Sequence, residues 1–168
     1  MPLPSTMTPI ATNTLSSATN SITFSNIPQN YTDLAVVFNG GLSVFDFIYT
    51  QVGNGSIDTG SNYSGTQLMG NGSSASSSRH SNSTYLQTLG WGIGFLNDAN
   101  GLLHFMNYAN TTTYKTIIDR SNSPAYGTST FVGLWRSTSA INTIRFTGVN
   151  SRNITAGSTL TLYGIKAA

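Results

Sequence analysis

The sequence predicts an all-β domain: a single antiparallel β-sandwich, jelly-roll-like, with about ten strands and long Gly/Ser/Asn-rich loops. Three observations predict it. The polar part of the chain is short and neutral, with 23 Ser, 24 Thr and 17 Asn making 64 of 168 residues, and such side chains favour turns, caps and strand faces over helix interiors. Charge is scarce, at 7% of residues, with five Asp, no Glu and two Lys, so the best surface helix formers are missing. The hydrophobic residues, 38% of the chain, fall in short alternating runs and nowhere at helical spacing. A domain of this length buries about two thirds of its unfolded surface, which is enough for a continuous core.

Taken in order, Pro2 and Pro4 predict an extended arm over residues 1–9, because proline fixes φ and pushes its predecessor to extended backbone. The sandwich domain then covers 10–168. Ile10–Leu15 and Ile22–Phe24 are short strands on either side of a Ser/Asn turn. Leu34, Val36 and Phe38 alternate ahead of the turn signal Asn39-Gly40-Gly41. Phe45, Phe47 and Tyr49 define one face of the next strand. Residues 53–82 are dominated by Gly, Ser, Asn and Thr and read as long surface loops around one short strand, Gly65–Met69. Thr84–Leu89 is a weaker strand, and Trp91–Leu96 with Leu102–Tyr108 predicts a hairpin about the turn at 97–101. Tyr114–Ile118, Thr130–Arg136, Ile141–Thr147 and Thr159–Lys166 complete the set.

These counts exclude several function classes. Without cysteine there is no disulfide framework, thiolate metal site or cysteine nucleophile. A net charge of +2 gives no footprint for nucleic acid, and no apolar run approaches a membrane span. No nucleophile-elbow, dinucleotide or phosphate-loop pattern occurs. His104 shares a strand face with Leu102 and Met106 and reads as a hydrogen-bonded structural histidine. Asp33 reads as a backbone cap, Asp46 needs a partner such as an Arg if its face is buried, and Asp119-Arg120 reads as a surface or interface ion pair. Asp58, in a Gly/Asn/Ser-rich loop, brings one carboxylate to a possible calcium cage that misses the EF-hand spacing. The expectation is therefore a chain without catalytic residues, cofactor or metal. For binding, Tyr63, Arg79, His80, Tyr85 and Trp91 are the candidate glycan contacts, since sugar rings stack on aromatic faces beside polar donors. Core packing is the competing reading for each of these aromatics.

Three stretches carry a family resemblance: Ser21-Ile22-Thr23-Phe24-Ser25-Asn26-Ile27-Pro28-Gln29-Asn30-Tyr31-Thr32-Asp33-Leu34, Leu134-Trp135-Arg136-Ser137-Thr138-Ser139-Ala140-Ile141 and Gly157-Ser158-Thr159-Leu160-Thr161-Leu162-Tyr163-Gly164-Ile165-Lys166-Ala167-Ala168. Gly60–Ser64 and Met106–Thr112 fit alongside them. The chain resembles a group of tailed-bacteriophage virion proteins of marine and cyanobacterial phages, from about Pro9 to its end. It departs from them at Phe47–Val52, where an Arg-Phe-Asn-type strand is expected. The resemblance implies a structural role on the surface of the phage particle, as a homo-oligomer, with a trimer the leading expectation. The expected function is a capsid decoration (cement) protein bound to the major capsid protein or another virion protein, with Pro2, Leu3, Pro4 and Met7 of the arm as attachment residues. The alternative is a tail-fibre tip or head appendage that binds host-surface polysaccharide.

Overall fold

The computed structural model describes residues 6–90 and 99–167. Among these residues, thirteen strands form two sheets, all pairings antiparallel. The strands are β1 (Met7–Thr14), β2 (Ser21–Phe24), β3 (Asp33–Gly40), β4 (Ile48–Asn54), β5 (Ser56–Ile57), β6 (Tyr63–Gly70), β7 (Ala75–Ser83), β8 (Leu86–Thr88), β9 (Ala99–Met106), β10 (Lys115–Ser123), β11 (Gly127–Trp135), β12 (Thr143–Gly148) and β13 (Thr159–Ile165). The larger sheet runs β1-β13-β3-β9-β10-β11-β6-β7, and the smaller β2-β12-β4-β5 with β8 on β4. The expected β-sandwich is present, with thirteen strands where about ten were read. The only helical element among the described residues is a 3-10 turn, Val149–Ser151.

The period of two explains the core. In β3, Leu34, Val36 and Phe38 point inward and are fully buried, as are Leu103 and Phe105 of β9 and Leu160 of β13. Ile48 and Val52 of β4 and Ile144 and Phe146 of β12 meet them from the smaller sheet. Phe131 of β11 needs two bare neighbours. A Cβ on Gly65 would sit 2.1 Å from its ring, and one on Gly133 would sit 2.6 Å away. These in-strand glycines clear space for an aromatic ring rather than a turn.

Three expectations change here. The long loop of 53–82 is mostly paired backbone: β6 and β7 form a hairpin whose register runs from Tyr63 opposite Ser83 to Gly70 opposite Ala75. The hairpin turn is held by Asn71, whose Oδ1 accepts from the N–H groups of Ser73 (3.0 Å) and Ser74 (2.8 Å). β7 reads Ala-Ser-Ser-Ser-Arg-His-Ser-Asn-Ser, so pairing to β6 overrides its weak intrinsic preference. Phe45 and Phe47 precede β4 instead of lying in it. Met7, Thr8 and Pro9, expected in the arm, open β1, with Met7 opposite Ile165 of β13. The Trp91–Leu96 strand lies outside the described residues.

Gly65→Ala is expected to cost about 1–3 kcal/mol, the usual scale for overpacking a well-filled core. Thr66→Ala next to it, on an exposed position, should stay within about 0.5 kcal/mol. Urea denaturation of the two variants checks the difference.

Candidate functional site

The carboxylates are the natural place to look for chemistry, and each described one is engaged by the fold. Asp33 opens β3 and accepts from the Asn107 N–H at 2.7 Å, with His104 Nε2 at 2.9 Å; both expected roles, the backbone cap and the hydrogen-bonded histidine, are observed. Asp46 accepts from the Phe47 N–H at 3.0 Å and stands 3.7 Å from the Arg152 guanidinium. Asp58 accepts from Trp135 Nε1 (2.7 Å), Asn62 Nδ2 (2.9 Å) and the Gly60 N–H (2.8 Å). Desolvation pushes this carboxyl up, but the hydrogen bonds, led by Trp135, outweigh it and hold Asp58 below the usual range. A ring of N–H donors is the reverse of a cation cage, so the calcium reading of this loop falls. Asp98 lies outside the described residues.

Asp119 corrects the sequence reading most sharply. Adjacent strand residues face opposite ways, so Asp119 points into the core while Arg120 points out, and the two form no surface ion pair. Asp119 is fully buried. Its Oδ2 accepts from the Leu89 N–H at 2.8 Å, and Ser121 Oγ stands at 3.5 Å. Ser121 and Ser129 hydroxyls, 2.9 Å apart, both reach the Gly90 carbonyl at 3.1 Å. Gln67 is buried beside them, its amide against Gly90. Asp119 Oδ1 and both polar atoms of the Gln67 amide have no partner among the described residues. Burial pushes the Asp119 carboxyl up to about 7, against the opposing pull of the Leu89 N–H and Ser121. The group is therefore held protonated over most of the acid range, which suits a hydrogen-bonded core better than a nucleophile or metal ligand.

Among the described residues, the expected glycan contacts do not come together at one site. Tyr63 is fully buried: its hydroxyl accepts from the Val52 N–H at 3.2 Å and donates to the Asp58 carbonyl at 2.8 Å, and burial pushes the phenol up. Arg79 and His80 are neighbours in the edge strand β7 and face opposite sides of the larger sheet; His80 Nε2 is buried. Trp91 lies outside the described residues, as do Pro2, Leu3 and Pro4. Met7, in contrast, is 42% exposed and lies over the outer face of the larger sheet with Leu102 and Ile165.

Tyr85 belongs to a cluster that sequence reading missed. It stacks on Tyr49 across the smaller sheet, centroids 4.6 Å apart and planes 29° from parallel. Next to the pair, Gln51 Oε1 accepts from Arg145 Nη2 at 2.5 Å and Nε at 3.2 Å, while its Nε2 donates to the Thr84 carbonyl. Tyr49 and Arg145 face out half-buried, while Gln51 on the same face is buried; the signal in the sequence was their alternation with core residues Ile48, Val52, Ile144 and Phe146.

No family model matches the chain, and no curated protein matches it.

Asp119 gives a pH signature. Its ordinary value is 3.8 and its folded value about 7, so between them the folded protein holds a proton that the unfolded chain has released. The stability this group contributes is complete below the lower value and is lost as pH rises through the upper one. Asp119→Asn is expected to be more stable than wild type by about 2–4 kcal/mol near pH 8 and nearly equal to it near pH 4. Urea titrations at the two pH values check this; parallel curves would contradict it.

Proposed function

We propose that this protein is a structural component of a tailed-phage particle, a capsid decoration protein that works by non-covalent packing in a closed homo-oligomer and carries no catalytic chemistry. The observation that carries the reading is where the exposed apolar groups are. Among the described residues, the well-exposed large hydrophobics are Met7, Leu68, Met106, Tyr114 and Val132. Four of them stand on the outer face of the larger sheet and Tyr114 directly precedes β10 on that face. Apolar groups gathered on one flat face mark a contact surface rather than a reaction site. The engagement of Asp33, Asp46, Asp58 and Asp119 by the fold supports the same reading, as does the resemblance to virion proteins. Attachment to the major capsid protein is assigned to the Pro2-Leu3-Pro4 segment ahead of β1.

The Tyr49–Tyr85 stack favours a second reading, in which a head appendage or fibre tip binds host-surface polysaccharide through the smaller sheet. Aromatic rings beside the half-buried Arg145 offer stacking and a charged donor together.

Quantitative mass spectrometry of purified particles separates these. Decoration predicts hundreds of copies per particle, and a dozen or fewer would overturn it in favour of a tail location. Removing residues 1–5 should abolish head occupancy, and unchanged occupancy would remove the attachment role. If the second reading holds, Tyr85→Ala should weaken binding to host polysaccharide about 10-fold or more, the scale of one lost stacking contact.

A further inference from the structure

The larger sheet has more apolar sequence than one buried face requires. Leu34 to Phe38 is continuously apolar, and Leu102-Leu103, Ile117-Ile118 and Phe131-Val132 are apolar pairs. Strands that read this way belong to sheets covered on both sides, whereas a sheet with one wet face alternates cleanly. The inward members, such as Val36, Leu103, Ile117 and Phe131, fill the core. Of their outward neighbours Ala35 is buried as well, Val37, Leu102 and Ile118 are half-buried, and Val132 is 50% exposed.

The register lines these outward residues up. Thr66, Val132, Ile118, His104, Ala35 and Tyr163 form one continuous row across six strands. The next row places Leu68, Thr130, Arg120, Leu102 and Val37 in line. On this face His104 is paired with Asp33 at 2.9 Å, while Arg120 and Arg79, which extends the first row opposite Thr66, have no acidic partner among the described residues, and no Lys stands on the face. Interface cores have this composition, with Arg and Met kept and Lys and carboxylates depleted.

We infer that the outer face of the larger sheet is the surface through which copies of this chain associate. Size supports a second copy as the occupant. Six strands about 4.8 Å apart and three rows about 6.8 Å apart span roughly 600 Å² of sheet plane. A stable interface takes about 800 Å² from each partner, so this span is most of one, and it lies at the upper end of what a monomer exposes, where patches are often functional. Polarity supports it too. The bordering row carries Thr128, Asn122, Asn100, Asn39 and Thr159, neutral groups that both donate and accept. Such a row can meet its own copy without repulsion and offers amide carbonyls to a copy's Arg120. The inference rests on the oligomeric part of the reading above and names the surface that serves it.

The full chain is tested by sedimentation velocity. Wild type should sediment at a multiple of 17.8 kDa. Leu68→Lys/Val132→Lys should fall to the monomer mass with an unchanged circular dichroism spectrum, and Thr23→Lys, on the smaller sheet, should keep the wild-type mass. A second measurement avoids disruption. The chain has no cysteine, so a nitroxide on Val132→Cys reports one position per copy, and spin–spin distances should be short there and long for Thr23→Cys. A monomeric wild type overturns the inference, as does a multimer in which the double variant stays assembled or Val132 labels lie far apart. None of these outcomes decides the virion reading, which stands or falls on copy number per particle.

Discussion

The two sheets depend on one polar tie at their margin. Tyr63, at the start of β6 in the larger sheet, sends its hydroxyl to the backbone of Val52 in β4 of the smaller one. Directly across β11, Trp135 stands opposite Tyr63 and donates to Asp58 in the loop that follows β5. Both rings are buried, so each polar tip had to find a partner inside the protein, and each found it on the other sheet or the loop leaving it. Dispersion and apolar burial hold two sheets face to face but set their lateral position only loosely. Directional hydrogen bonds from two adjacent rings remove that freedom. The position of β4 over the core, and with it the place of Ile48 and Val52 against Phe38 and Leu103, follows from this tie.

A cluster of buried polar side chains lies under the Leu89–Gly90 segment. Asp119, Ser121, Ser129 and Gln67 come from three neighbouring strands of the larger sheet and share that one backbone stretch. Leu89 has a left-handed φ of 46°, unfavourable for a branched apolar residue, and its N–H is the donor to Asp119. A protonated carboxyl there can accept from Leu89 and still carry a proton toward a neighbouring acceptor, which a carboxylate cannot. The cluster is thus a way of holding a strained backbone exit from β8, and it explains why a buried acid is kept there.

Much of the architecture was legible from alternation alone. Leu34, Val36 and Phe38, or Ile144 and Phe146, declare their faces because inward and outward residues differ in polarity. Legibility failed where that contrast vanished. β7 has no apolar residue beyond Ala75 to mark either face, and only its partner β6 makes it a strand. Asp119 and Arg120 were misread because charge drew attention to their proximity in sequence, whereas the strand period separates them by the thickness of the sheet. Tyr63 was misread because a Gly/Ser-rich neighbourhood suggests exposure, and its burial is imposed by the preceding β4 and by β11, which is remote in sequence. Tyr85 stacks on Tyr49, and nothing in local spacing joins residues brought together by the β4–β8 pairing.

The strand order also has a temporal consequence. β13 lies between β1 and β3, and β12 between β2 and β4, so the first strands made in each sheet have their partners among the last. Until β12 and β13 have been made, β1 and β2 have no ladder to join and β3 lacks one neighbour. Neither sheet can close, and the tie between Tyr63 and Val52 has nothing complete to align. Closure of both sheets therefore waits for these two strands and proceeds by long-range pairing, the slow regime for β-rich chains. Until that moment the apolar strands are exposed, and protection from premature association falls to the sparse hydrophobicity and abundant hydroxyls of the segments between them.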